Sequence, residues 1–137
     1  MPATDSLVFL DTNVLIYLLS ADPVKADQAE TVVRAGSLVS VQVLNEMTNI
    51  MRRKLAMSWE EINDVITIIR SICTIEPLTI GTHDRGRLIA KRYGFSVYDS
   101  MIVASALLAG CKILYSEDMQ HDQLLDQQLR VCNPFTS

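Results

Sequence analysis

Apolar and polar positions divide this chain into short strands and longer helices before any motif is considered. Leu7-Val8-Phe9-Leu10 is an apolar run of β-formers that ends at Asp11-Thr12-Asn13, and Val14 to Leu19 resumes with helical spacing. A strand, a polar corner and a helix are predicted there. Asp22-Pro23 pairs an N-cap residue with a proline at the first helical position and Gly36 supplies a stop, giving a second helix over 23–35. Leu38 to Val41 is a short buried strand, after which Val43, Met47, Ile50, Met51 and Leu55 recur at three- and four-residue intervals as a third helix. Ser58 with Glu61 forms a capping box, and Ile62, Val65, Ile66 and Ile69 carry one apolar face on to about Ile72, so helices three and four should form a hairpin. Thr74 to Leu78 is a third strand closed by Pro77, and Thr82 to Tyr93 is a helix stopped by Gly94. Ser96-Val97-Tyr98 leads into Asp99, and Ser100 to Leu108 is apolar all round, which predicts a buried helix ended by Gly110. Lys112 to Ser116 is a strand, Glu117 to Asp122 its polar carboxyl-end loop, and Leu129 to Cys132 a last strand. Strands alternating with helices, joined by connections long enough for crossovers, argue an α/β fold whose sheet is mostly parallel and carries helices on both faces.

Composition narrows the class. The 137 residues fit one domain, 1–137, able to bury a real core, and no repeat, linker or low-complexity segment divides it. The longest apolar run, Met101 to Cys111, is too short to span a bilayer, and nothing at the N-terminus reads as a secretion signal, so the expectation is a cytoplasmic protein without a membrane partner. Cys73, Cys111 and Cys132 are odd in number and lack a C-x-x-C pair, which supports neither a disulfide framework nor a cysteine zinc site. They read as reduced core cysteines. A net charge of −4 argues against coating nucleic acid by bulk electrostatics, while leaving room for a local basic rim.

Candidate chemistry lies in the acids. In an open α/β sheet, ligands bind outside the carboxyl ends of the strands, where Asp11 and Asp118 would both stand; each also has a plainer reading, as a helix cap and as a solvated loop charge. Asp99 falls at the start of the buried helix, as an N-cap or as an anion at the positive end of the helix dipole. Glu46 lies inside helix three on the flank of its core-facing stripe, where it needs a partner or snorkels at the edge. Four such coincidences together favour a site. No Ser-His-Asp or Cys-His nucleophile system can be placed, and His83 and His121 read as surface residues.

The segments Leu10-Asp11-Thr12-Asn13, Val41-Gln42-Val43-Leu44-Asn45-Glu46, Tyr98-Asp99-Ser100-Met101-Ile102-Val103-Ala104 and Tyr115-Ser116-Glu117-Asp118-Met119-Gln120-His121, with the closing Asn133-Pro134-Phe135, occur in an order that resembles the PIN-domain ribonucleases. The resemblance is strongest to the VapC-like toxins of bacterial toxin–antitoxin pairs and spans nearly the whole chain. It implies a PIN-like three-layer sandwich and a metal-dependent endoribonuclease that hydrolyses RNA phosphodiester bonds. It also implies that Asp11, Glu46, Asp99 and Asp118 are acidic metal-binding residues, with Asn13 and Ser116 as polar support, and that the partners are a small antitoxin and a second copy of the chain. One departure is Asp122, where many relatives have glycine. Aspartate there either shares a helical face with Asp118 and helps hold a metal-bound water, or only replaces glycine at a backbone position of positive φ.

The chemistry of such a cluster follows from charge. Carboxylates about 5 Å apart repel by roughly 3 kcal/mol per ionised pair at an effective dielectric of 20, and Mg²⁺ or Mn²⁺, which prefer oxygen ligands, relieve that repulsion. Asp11 and Asp99 are the expected direct ligands, with Glu46 and Asp118 binding directly or through water. Arg52-Arg53-Lys54 and Arg85, Arg87, Lys91 and Arg92 are candidate phosphate contacts, or solvated faces and helix-dipole partners. A receiver-like or non-catalytic PIN-like binding domain is the alternative, since such folds also place aspartates at strand ends.

Overall fold

A computed structural model describes residues 7–135. Six strands form one sheet in the order β3-β2-β1-β4-β6-β5, with β1 at Val8–Leu10, β2 at Ser37–Ser40, β3 at Thr74–Glu76, β4 at Ile113–Tyr115, β5 at Leu124–Leu125 and β6 at Leu129–Cys132. All pairings are parallel except β5 with β6. The short strands are held between helices, and Phe9, Leu10, Leu38, Val39, Leu114 and Val131 are buried in a single core.

The helices are α1 (Thr12–Ile16), continued by a 3₁₀ turn at Tyr17–Leu19, then α2 (Pro23–Arg34), α3 (Val41–Arg53), α4 (Trp59–Ile72), α5 (Ile80–Tyr93) and α6 (Val97–Leu108). Predicted caps do their work: Asp22 accepts the Val24 N–H, and Ser58 and Glu61 close a reciprocal capping box. Gly94 stops α5 with φ of 73°, a left-handed conformation that glycine adopts without strain. Gly86 permits the close seat of α5 on α6, because a Cβ there would lie 2.6 Å from Met101 Sδ. On α6 every residue from Ser100 to Leu107 is buried, as its all-round apolar pattern requires.

Chain direction fixes where a site can form. From β1 the chain steps outward to β2 and β3, then returns across the sheet to lay β4 on the other side of β1. Right-handed crossovers then place α5 and α6 on the face opposite α2 and α4. The reversal leaves a crevice between the carboxyl ends of β1 and β4, the position at which open α/β sheets bind ligands. A receiver of order 2-1-3-4-5 has a different switch point, so that alternative does not hold.

Some boundaries move. The second strand ends at Ser40, whose hydroxyl accepts the Val43 N–H, and Val41 already belongs to α3. The third strand stops at Glu76 rather than Leu78, and α5 begins two residues earlier than its periodicity suggests because Thr79 and Thr82 cap it. Among the described residues no helix is long and apolar enough to cross a membrane.

Candidate active site

Asp11 is the first residue beyond β1, where its N–H extends the ladder to the Tyr115 carbonyl at 3.0 Å. The residue is 4% exposed. Oδ1 accepts the Thr12 N–H at 2.7 Å, so Asp11 does cap α1, while Oδ2 accepts the Ser116 hydroxyl at 2.8 Å and Asn13 Nδ2 at 3.2 Å. The cap and the site are therefore the same side chain. Burial, reinforced by the charges of Asp99 and Glu46, raises its pKa from 3.8 to about 6, although the Ser116 and Thr12 hydrogen bonds pull the other way.

The neighbouring strand end supplies the second acid. Ser116 follows β4, and its Oγ accepts the N–H groups of Asp118 at 3.2 Å and Met119 at 3.3 Å while donating to Asp11. Asn13 joins the two corners. Its Oδ1 accepts the Glu117 N–H at 3.0 Å, and its Nδ2 lies 3.1 Å from Asp118 Oδ2 as well as against Asp11. One amide thus places an N–H on each of two carboxylates.

Glu46 reaches the cluster from α3. Thr12 Oγ1 donates to its Oε1 at 2.8 Å and Gln42 Nε2 to its Oε2 at 3.0 Å. Sequence reasoning passed over both donors, although Gln42 stands one helical turn before Glu46 and such pairs share a face. Asp99 lies in the first turn of α6, whose cap is Ser96 accepting the Asp99 N–H at 3.2 Å. The buried helix therefore starts three residues before Ser100, and Asp99 is left half-buried with its carboxylate unused as a cap. Burial raises its pKa, helped by the charges of Glu46 and Asp118 and opposed by Ser96. Hydrogen-bonded bridges tie Asp11 to Asp118 through Asn13 and to Glu46 through Thr12, while Asp99 stands near enough for its charge to act on Asp11.

A second group of contacts flanks the crevice. Tyr17 donates to Glu117 at 2.6 Å, and Lys25 lies 3.2 Å from both Tyr17 Oη and Glu117. Phe135, from the closing Asn-Pro-Phe, packs edge-on against Tyr17 at 4.5 Å. The predicted cationic rim is largely occupied. Arg85, at 2.8 Å, and Arg92 both pair with Asp126, Arg87 pairs with Asp84 at 2.6 Å, and Arg52 covers the Trp59 ring.

Asp122 adopts φ of 71°. Its N–H donates to the Val131 carbonyl at 2.7 Å and Arg130 takes its carbonyl at 2.8 Å, which fits a replacement for glycine. His121 is exposed, with Nδ1 accepting the Asn133 N–H at 2.9 Å. The thiols of Cys73 and Cys111 are buried and pushed up to about 11 by desolvation, as expected of inert core cysteines, whereas Cys132, at the end of β6, is only partly buried and lies outside the core.

Among the described residues no three acidic, histidine or cysteine side chains converge as a ready cage for a metal ion. Thr12, Gln42, Asn13 and Ser116 instead hold carboxylate oxygens of Asp11, Glu46 and Asp118. The donor set still fits a hard divalent cation: it consists of oxygens, the pKa values of Asp11 and Asp99 are raised by burial and by the charges of neighbouring carboxylates, and the adjacent cation, Lys25, is bound to Glu117.

Comparison with known proteins gives the family of the fold. The sequence profile of the PIN domain matches residues 8–124. No curated protein matches by sequence. Among solved structures, the fold is similar to a toxin–antitoxin complex from Klebsiella pneumoniae, at a TM-score of 0.72 and 18% identity over 93% of this chain and 98% of that one. DNA-bound VapBC from Salmonella typhimurium gives a TM-score of 0.70 at 18% identity over 93% and 97% of the two chains. A sarcin–ricin loop cleaving VapC toxin from Mycobacterium tuberculosis gives 0.67 at 18% identity over 81% and 89%. With the profile covering most of its length and the same architecture found along nearly all of it, the chain belongs to the PIN domain family.

Proposed function

We propose that this protein is a Mg²⁺- or Mn²⁺-dependent endoribonuclease that serves as the toxin of a toxin–antitoxin pair. The observation that carries the reading is that the buried Asp11 carboxyl, raised to about 6, is linked through Asn13 to Asp118 and through Thr12 to Glu46 and feels the charge of Asp99. Such a cluster is poised for a cation rather than for a structural salt bridge. Asp11 and Asp99 act as direct metal ligands, and Glu46 and Asp118 complete the shell directly or through water. When bound, the ion supplies a water of lowered pKa and offsets charge on the phosphoryl oxygens of the scissile bond. Asn13 and Ser116 fix the Asp11 and Asp118 carboxylates relative to each other, and Thr12 and Gln42 do the same for Glu46. Arg53, Lys54 and Lys91, whose side chains form no ion pair among the described residues, remain for substrate phosphates. Specificity comes from single-stranded regions of RNA and its shape, since no base-reading module is evident.

The partners are a small antitoxin and a second copy of the chain. A groove of about 210 Å³ runs between the 3₁₀ turn, α2 and α4, lined by Leu18, Leu19, Val33, Val65, Ile68 and Ile72. Ile68 is 56% exposed there, an apolar cost that an amphipathic antitoxin segment removes. From that groove the segment's arginine reaches the acidic site and blocks it.

The test is cleavage of a single-stranded RNA by purified protein with Mg²⁺ or Mn²⁺, with EDTA, and by the Asp99→Asn variant. Cleavage is expected only with metal and only by the wild type. Undiminished cleavage by the variant in EDTA refutes the proposal.

A further inference from the structure

Beside the acidic cluster the surface between α3, α5 and the start of α6 folds into an open cavity of about 300 Å³, lined by Gln42, Leu78, His83, Val97, Tyr98 and Met101. Its character differs sharply from that of the crevice. No acid or strong cation lines it, so it neither repels RNA nor attracts phosphate. Tyr98 is 64% exposed, Val97 57% and Leu78 40%, although α6 is buried from Ser100 to Leu107. Its rim is polar, carrying the Thr79 and Thr82 hydroxyls that cap α5.

Gln42 joins the cavity to the crevice. Its amide contacts Glu46 Oε2 at 3.0 Å, and because a carboxylate only accepts, the amide nitrogen must face Glu46. The Oε1 acceptor is left for a donor in the cavity. A ligand there needs flat apolar faces for Tyr98 and Met101, a polar edge for Gln42, and attachment to a group sitting over the carboxylates. We propose that this cavity is a nucleobase subsite, in which the unstacked base of a nucleotide flanking the scissile phosphate stacks on Tyr98 and is read at its edge by Gln42 and His83. The proposal rests on the ribonuclease reading and adds the element that selects the cut site: a cation held by the acidic cluster would take the phosphate, and the base sets the register. Base–aromatic stacking of this kind changes affinity by about 5- to 100-fold.

The experiment uses a short single-stranded RNA that the wild-type protein cleaves, and the same RNA with the base removed, leaving an abasic ribose, at each position flanking the cut. For the wild type, one of the two abasic RNAs raises KM by about 5- to 100-fold. Tyr98→Ala raises KM on intact RNA by a similar factor and shows no further rise on that abasic RNA, while Tyr98→Phe behaves as wild type. Tyr98 is exposed, so the variant folds. Equal KM for wild type and Tyr98→Ala on intact RNA overturns the proposal while leaving the ribonuclease reading intact. So does a Tyr98→Ala protein that changes from dimer to monomer by light scattering yet keeps the full abasic penalty, which assigns the patch to contact between copies. Failure of the wild type to cut any RNA with either metal removes the ribonuclease reading and this proposal together.

Discussion

Replacing Asp11 by asparagine should stabilise the metal-free protein while abolishing its activity. The folded Asp11 carboxyl keeps its proton up to about pH 6, against 3.8 for the free side chain. Between those values the unfolded chain has lost a proton that the native state retains, so stability falls as pH rises through the window and has dropped by about 3 kcal/mol at pH 7. Asparagine preserves the Thr12 contact at Oδ1, but its amide meets Asn13 Nδ2 donor to donor and faces a Ser116 Oγ that already accepts the Asp118 and Met119 N–H groups, a loss of about 2 kcal/mol for the two contacts. The net expectation for Asp11→Asn is a gain of about 1 kcal/mol at pH 7.5, or about 3 °C in Tm for a chain of this size, and no gain at pH 4. Urea denaturation in EDTA at the two pH values measures both. Added Mn²⁺ should stabilise the wild type alone, because a ligand that binds only the native state raises its stability by mass action. A variant less stable than wild type at both pH values would mean that Asp11 is only a helix cap, and the account of a strained ligand would be wrong.

Other perturbations separate the parts. Asn13→Ala removes the amide shared by Asp11 and Asp118, and should lower stability by only about 1 kcal/mol while reducing cleavage about 10- to 100-fold, read by parallel denaturation and RNA assays. Asp126→Ala breaks the latch to Arg85, Arg92 and Tyr93 that holds the β5–β6 hairpin on α5, and should reduce stability by about 2 kcal/mol with kcat unchanged at a temperature where the variant is folded. Burial alone would raise the Asp126 pKa, but Arg85, Tyr93 and Arg92 hold it below the usual value, so its stabilising effect is complete at neutral pH and lost only in acid. Asp122→Gly should leave both stability and the Mn²⁺ concentration for half-maximal activity unchanged; a clear rise in that concentration would assign Asp122 to the metal shell. Ile68→Asp in the apolar groove should abolish antitoxin binding in calorimetry without altering cleavage.

The parts of the site legible in the sequence are those determined by local pattern. Asp11 and Asp118 end runs of β-formers, and a parallel sheet brings such ends to one edge whatever the distant packing. Glu46 was marked by its place on the flank of an apolar stripe. What holds these acids was not legible, because the Thr12 bond to Glu46 joins residues 34 apart and depends on how α1 crosses α3. Asp99 shows an intermediate case: its segment was recognised, but Ser96 takes over the capping, which frees the carboxylate. The partner of the basic rim was hidden for a related reason. Arg85 and Arg92 look solvent-facing on α5, and their partner Asp126 lies in a hairpin whose Asp126-Gln127 turn has two positive φ values without the glycine that usually marks one. With β5 only two residues long, no periodicity announces that hairpin at all.

Crystals of the wild-type protein soaked in Mn²⁺ at pH 7.5 would show by anomalous scattering where the ion binds. A peak is predicted between the Asp11 and Asp99 carboxylates, within reach of Glu46 and Asp118, and absent from Asp11→Asn crystals. No peak at the β1–β4 crevice, or an equal peak in the variant, would contradict the assignment of these acids to a metal centre.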